Sequence, residues 1–314
     1  MNDYLYLLGG LIALVVSGEF LVRGAVALAL RMRISTLVVG MTVVSFGTSA
    51  PELLVSVQAA LGGHPDIAIG NVVGSNVANI SLILGITALV APVAVNRISV
   101  RIDWPMMMIA SLLFWWFASD GHISLSEGSV FLVILVTFMT WLVIKSRREG
   151  EQGDAGVDEE GVVQRSTKPV WQSLLWVIAG CVGLAFGADW LIKGASSLAI
   201  KWGISEYVVA VTIVAFGTSV PELVTSIIAS LKKETDITVG NLIGSNIFNL
   251  LGILGCTSLF SDIAVTETIR SVDVYWMMGI ALLILPLMAY RFRVNRLSGF
   301  LLLITYLIYI LHLF

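Results

Sequence analysis

Two short segments of this 314-residue chain hold the residues whose types and spacing could do chemistry. VSFGTSAPELLVS (44–56) brings Thr48, Ser49, Pro51 and Glu52 together, and VAFGTSVPELVTS (214–226) does the same for Thr218, Ser219, Pro221 and Glu222. On an α-helix, Thr48 and Ser49 lie four and three residues before Glu52, so hydroxyls and carboxylate share one face. Each proline lacks an N–H, so the carbonyl four residues earlier, Gly47 or Gly217, loses its helical partner. The carbonyls freed around 45–48 and 215–218 must be satisfied by a bound cation or by nearby Ser and Thr hydroxyls. Downstream, GNVVGSNVANISLILG (70–85) and GNLIGSNIFNLLGILG (240–255) set Asn71, Ser75 and Asn79, and Asn241, Ser245 and Asn249, at four-residue steps. Each trio is a polar stripe along one helical face. Hydrogen-bonded packing is the competing role for this motif, and the one we assign to Asn71, Asn76, Asn241 and Asn246. Carboxylate, hydroxyl, amide oxygen and backbone carbonyl, without imidazole or thiolate, suit hard cations: Ca2+ first, then Na+, with Mg2+ less suited.

The elements that must position these groups are membrane helices. Charged residues are 12% of the chain, about half the soluble norm of roughly 25%, and hydrophobic residues are 57%. So few charges cannot cover an aqueous surface. Mean hydropathy is +0.94. A net charge of -3 gives no reason to expect nucleic acid. Cys181 and Cys256 stand alone in apolar runs, and the three histidines are scattered, so neither disulfides nor a thiolate or imidazole metal site is expected. The N-terminal run lacks a basic segment and a cleavage site, and reads as a retained helix.

Hydrophobic runs of bilayer length predict ten spans, at 4–29, 36–61, 67–94, 103–119, 125–145, 170–199, 206–231, 237–261, 272–290 and 297–313. Continuous apolar runs disfavour a β-barrel. With both termini outside, fourteen Lys and Arg fall in inner connections and two in outer ones. The acidic, glycine-containing stretch 146–168 is the one polar linker, too short for a folded domain, and is expected in the cytoplasm. Met106–Met108 and Trp115–Trp116 read as lipid or interface residues. Glu19 and Arg23, like Asp189 and Lys193, are spaced as self-neutralising pairs.

Self-comparison shows that the chain is one unit written twice. The motif segments align at a constant offset of 170, GEFLVRGA (18–25) meets ADWLIKGA (188–195), and Asp103 meets Asp273, all without a gap. The division is residues 1–145, a linker at 146–169, and residues 170–314. Five helices per unit is an odd number, so the two copies insert with opposite orientation. The fold class is therefore an all-α membrane protein of ten transmembrane helices in two inverted five-helix repeats, a transporter architecture with substrate at the repeat interface. An intramembrane carboxylate costs roughly 2.5–3.5 kcal/mol on insertion scales. Glu52 and Glu222 at equivalent places need a functional reason.

Paired GTSxPE and GNxxGSNxxN motifs resemble the α-repeats of the sodium/calcium exchanger family, within the cation/Ca2+ antiporter superfamily, over essentially the whole chain. The resemblance implies the exchanger fold and secondary active exchange of Ca2+ for Na+ across the cytoplasmic membrane, with no enzyme chemistry and no cofactor. It implies Glu52 and Glu222 as central ligands and Thr48, Ser49, Thr218 and Ser219 as oxygen donors. Ser75, Asn79, Ser245 and Asn249 would complete the site, and the carbonyls of Ser45 and Ala215 would serve flanking Na+ positions. The first and sixth spans would slide to alternate access. The partners implied are the two ions and the bilayer, with no obligatory protein partner evident. Two departures matter. Ser45 faces Ala215, which brings an extra hydroxyl into the site. Asn249 stands where potassium-dependent members carry Asp, which leaves two acids and implies transport without K+. A Ca2+/H+ antiporter of the same superfamily and a cation channel are the alternatives. An intramembrane hydrolase is disfavoured, since no His lies near Ser49 or Ser219 in the sequence.

Overall fold

A computed structural model describes residues 2–151, 169–203 and 215–313. The chain is helical almost throughout: α1 (Asn2–Met32), α2 (Thr36–Thr48), α3 (Ala50–Leu61), α4 (Pro65–Val90), α5 (Ser99–Asp120) and α6 (Leu125–Glu151) form the first half. The second half holds α7 (Val170–Lys201), a turn at Ala215–Gly217, α8 (Val220–Leu231), α9 (Thr235–Ser258), α10 (Ile269–Phe292) and α11 (Arg296–Leu313). Among the described residues seven helices are long and apolar enough to cross a membrane, and the bent pair α2–α3 makes an eighth. The shorter apolar helices α8 and α11 occupy the remaining two expected spans; the start of the seventh, 206–214, lies outside the described residues.

Apolar side chains on α1, α6 and α7, such as Ile12, Val133 and Ile178, face outward, whereas α9 is buried without interruption from Ile237 to Gly255. Outer helices thus present lipid-facing surface around α9, the reverse of a water-soluble bundle. Helix α6 runs to Glu151, six residues past its expected end, and Ser146 on that extension accepts the Ser35 N–H at 2.8 Å. The rest of the expected linker, 152–168, lies outside the described residues.

The duplication reaches the backbone. Single π-helical turns interrupt α4 at Ala78–Ile83 and α9 at Phe248–Ile253, and open α5 at Ser99–Asp103 and α10 at Ile269–Asp273. Both pairs keep the offset of 170. Four two-residue strands, β1 (Val93–Ala94), β2 (His122–Ile123), β3 (Ile263–Ala264) and β4 (Arg293–Val294), pair antiparallel across the halves as β1·β4 and β2·β3. Contacts between the long helices are reciprocal too. A Cβ on Gly10 would sit 2.6 Å from the Leu191 nitrogen, and one on its counterpart Gly180 would sit 2.7 Å from the Leu21 nitrogen. When residue i meets j and the equivalent of i meets the equivalent of j, the halves are related by a two-fold axis. Backbone-to-backbone contact through small residues is how helices associate where lipid removes the hydrophobic drive.

Gly240 and Gly244 likewise seat α9 on α2, with a Cβ meeting the Leu37 carbonyl at 2.4 Å and the Met41 Cα at 2.7 Å. The matching contact at Gly70 and Gly74 would fall to residues 207–211, outside the described residues.

Candidate functional site

Both GTSxPE segments break their helix instead of merely kinking it. Ser49 leaves helical geometry at φ -86°, ψ 6°, and Ser219 at φ -90°, ψ 3°, with the proline two residues later opening the next helix. The first break bends α2 against α3 by 45°. Glu52 and Glu222 therefore stand in the first turn of α3 and of α8. Both are 1% exposed.

The serines cross-link the repeats. Ser49 Oγ donates to Glu222 Oε1 at 3.0 Å, and Ser219 Oγ donates to Glu52 Oε1 at 3.2 Å. Ser75 joins at 3.4 Å from Ser219 Oγ. Each glutamate thus has one oxygen accepting a hydroxyl from the opposite half. The second oxygens, Glu52 Oε2 and Glu222 Oε2, are buried without a partner among the described residues.

The candidates Asn79 and Asn249 sit in the π-helical turns, where their carbonyls accept from Leu84 N and Leu254 N five residues on, while Ser75 and Ser245 lie in the α-helical turn before. Such turns recur at functional sites. Asn79 Nδ2 donates to Asn246 Oδ1 and Asn249 Nδ2 to Asn76 Oδ1, both at 3.1 Å. Asn76 and Asn246 are anchored in turn by donating to each other's backbone carbonyl at 3.4 and 3.3 Å. Met277 and Met107 sulfurs accept from the same amides at 3.6 Å. This lattice consumes the NH2 of Asn79 and Asn249 and leaves Asn79 Oδ1 and Asn249 Oδ1 buried without partners, together with Ser245 Oγ.

Thr48 Oγ1 lies 3.0 Å from Asn241 Oδ1, and Thr218 is buried as well. Asn71 donates to the Glu52 carbonyl at 3.2 Å and to Ser56 Oγ at 3.0 Å, and Asn241 donates to Ser226 Oγ at 3.4 Å. Those two asparagines hold helices together.

Three expectations need correction. Ser45 Oγ turns away from the break and donates to the Met41 carbonyl at 2.6 Å, since a helical serine bonds readily to the preceding turn. The extra hydroxyl does not enter the site. The Ser45 carbonyl is not freed either: it accepts from Ser49 N at 2.9 Å and Thr48 Oγ1 at 3.3 Å, because proline strips a donor only from Gly47. Serving a cation would require giving up those bonds. Ala215 opens the short turn before its own break, and residues 204–214 preceding it are outside the described residues. Third, Met106–Met108 are buried rather than lipid-facing, and Met107 supports Asn246. Asn76 and Asn246 were legible only as packing residues; their repetition in both motifs was the signal that they work as a pair.

Outside the site, Arg23 and Lys232 both pair with Glu19, Lys232 at 2.6 Å, and Lys193 pairs with Asp189 at 2.7 Å. Among the described residues no group of three or more His, Cys, Asp or Glu could hold a metal, so any cation here meets two acids and neutral oxygens.

The family profile described as sodium/calcium exchanger protein matches residues 3–144 and 172–314. The chain belongs to the sodium/calcium exchanger family. It is 35% identical to the inner membrane protein YrbG of Escherichia coli K12 over 91% of this chain and 88% of that one. To the sodium/calcium exchanger MaX1 of Methanosarcina acetivorans it is 28% identical over 99% and 98%. The solved sodium-calcium exchanger NCX_Mj, soaked with zero Na+ and Ca2+, superposes with a TM-score of 0.86 at 31% identity, over 100% of this chain and 99% of that one. The exchanger fold and the membrane-spanning character are thus shared along the full chain.

Proposed function

We propose that this protein is a secondary active antiporter that exchanges Na+ for Ca2+ by alternating access, without K+, in the cytoplasmic membrane with both termini outside. One observation carries the reading: a symmetry-related set of orphaned acceptor oxygens, Glu52 Oε2, Glu222 Oε2, Asn79 Oδ1 and Asn249 Oδ1, in the buried centre of the molecule. Unsatisfied buried acceptors cost about 1–3 kcal/mol each, more when charged. A hard cation with oxygen coordination removes that cost, and two carboxylates balance one Ca2+. Ser49 and Ser219 bond the glutamates and Ser75 bonds Ser219, and these three with the buried Ser245, Thr48 and Thr218 are the further oxygen ligands of this reading. The names of MaX1 and NCX_Mj specify sodium and calcium for those proteins, which favours Na+ over H+ as the coupling ion here.

The deciding experiment is Ca2+ uptake into proteoliposomes under an imposed Na+ gradient, in K+-free buffer with a protonophore present. Uptake that follows the Na+ gradient and survives the protonophore is the expected result. Uptake that follows a pH gradient and collapses with the protonophore would instead identify a Ca2+/H+ antiporter, and a strict K+ requirement would overturn the charge argument.

A further inference from the structure

The two strand-paired corners of the fold are built alike and charged oppositely. Val265 N donates to the Gly121 carbonyl at one, and Val95 N to the Phe292 carbonyl at the other, both at 2.8 Å. At the first corner the chain turns through Gly121 at φ 94°, Asp120 precedes it, and Glu127 accepts the Ser124 N–H at 2.8 Å. At the second, Phe292 (φ 49°) stands in the place of that glycine, with Arg291 (φ 56°) before it. Both occupy the left-handed region that side chains disfavour, and such strain persists where the surroundings or a ligand justify it. What the turn achieves is a concentration of guanidinium groups. Arg97 lies over the Phe292 ring at 5.0 Å and Arg291 over Tyr290 at 5.4 Å. Arg293 and Arg296 join them, and Arg296 spends only its Nε, on the Leu89 carbonyl at 3.1 Å. Among the described residues none of these four arginines pairs with a carboxylate, whereas Arg23, Lys193, Lys201, Lys232 and Arg270 all do.

Arg291, Arg293 and Arg296 line one groove of about 470 Å³ with Asn295 and Tyr290. We propose that this groove binds the phosphate of an anionic phospholipid from the adjacent leaflet. Guanidinium forks match phosphate oxygens in pairs, and basic pockets at a membrane face recruit anionic headgroups. A lipid fits better than free phosphate because the groove opens onto an apolar track: Leu297, Phe300 and Ile304 are exposed on successive turns of α11, where acyl chains would lie. The opposite corner carries Asp120 and Glu127, and the arginine there, Arg270, is already paired with Glu267, so it offers an anion no unpaired guanidinium. The assignment stands independently of the ion site.

Native mass spectrometry of the purified full chain, titrated with phosphatidylglycerol against phosphatidylcholine, tests it. Wild type should retain one phosphatidylglycerol at least about tenfold more tightly than phosphatidylcholine. R291Q/R293Q should lose that preference, as should L297E, which adds a carboxylate at an exposed groove position and serves if the double variant fails to fold. R270Q, at the opposite corner, should behave as wild type. Equal retention of both lipids by wild type, or unchanged preference in L297E and R291Q/R293Q, would overturn the proposal. Inorganic phosphate displacing phosphatidylglycerol at equal concentration would show that the groove is a free-phosphate site and overturn the lipid assignment.

Discussion

Replacing Glu52 by Gln should move stability and ion binding in opposite directions. Glu52 and Glu222 are each 1% exposed, each accepts one serine hydroxyl, and each leaves Oε2 unpartnered among the described residues. One orphaned buried acceptor costs about 1–3 kcal/mol, and the two carboxyl groups also lie within electrostatic range of one another. Glu52→Gln removes one charge, so the ion-free protein should gain about 1–3 kcal/mol, a few degrees in melting temperature. The same change takes one of two anions from a desolvated site, where losing a charge partner costs roughly 2–5 kcal/mol. That lowers Ca2+ affinity on the order of 30- to several-thousand-fold. The assay is thermal melting of purified protein in chelator and in saturating CaCl2. Wild type should melt low in chelator and rise with Ca2+; E52Q should melt higher in chelator and show no Ca2+ shift. E222Q should match it, because the Ser49–Glu222 and Ser219–Glu52 bonds are equivalent. A wild-type Ca2+ shift in either variant, or a drop of several degrees in chelator, would refute the site.

Further outcomes follow from the same geometry. Asn76→Leu and Asn246→Leu each release one ligand amide, so each should weaken Ca2+ binding by about tenfold, roughly 1.4 kcal/mol, and by equal amounts within error in calorimetry. Gly180→Val drives a side chain into the Leu21 backbone, 2.7 Å from where its Cβ would sit; overpacking of about 1–3 kcal/mol should lower the melting temperature and slow exchange in proteoliposomes. Asn249→Asp adds a third acid and removes the donor that Asn76 Oδ1 accepts, so Ca2+ flux should gain a dependence on K+ or pH, read by adding KCl at constant ionic strength. A cysteine at position 154 should resist impermeant reagents applied outside intact cells and react after permeabilisation.

Much of this was legible in the sequence because it was written twice. Apolar length located the spans, the constant offset exposed the two halves, and an unexplained mid-span carboxylate in each marked the site. The rest depended on contacts no periodicity encodes. Nothing in SFGTSAPE says that Ser49 reaches across to Glu222 and not back to Glu52, because that bond spans 173 positions. The i, i+4 spacing placed Asn79 on the stripe of Ser75 but could not foresee a π-helical turn there. Proline rules correctly predicted a lost hydrogen bond at Gly47, yet the chain answered with a break at Ser49 that keeps the Ser45 carbonyl occupied. Met107 read as lipid-facing because a thioether carries no charge; only the structure shows it accepting an amide proton.

The symmetry has a mechanistic consequence for alternating access. The bonds that hold the two glutamates and the two π-turn asparagines have counterparts in the other half: Ser49–Glu222 with Ser219–Glu52, and Asn79–Asn246 with Asn249–Asn76. A cation bound at the centre, as proposed, would meet nearly the same groups from either face, so these groups supply little free-energy preference for one side. A larger preference must come from groups that break the symmetry, and among the described residues charged ones lie at the ends of the helices. Glu19 on α1 is tied to Lys232 beyond α8, while its counterpart Asp189 meets Lys193 on its own helix, and the residue equivalent to Lys232 is Gly62. Among the described residues, one long helix is thus pinned to the core by an ion pair that the other lacks. Partly exposed pairs contribute about 0–1 kcal/mol, enough to bias two nearly equal conformations several-fold without locking either. A transporter whose binding site is even-handed can set its resting orientation with that little, and leave the ion gradients to set the direction.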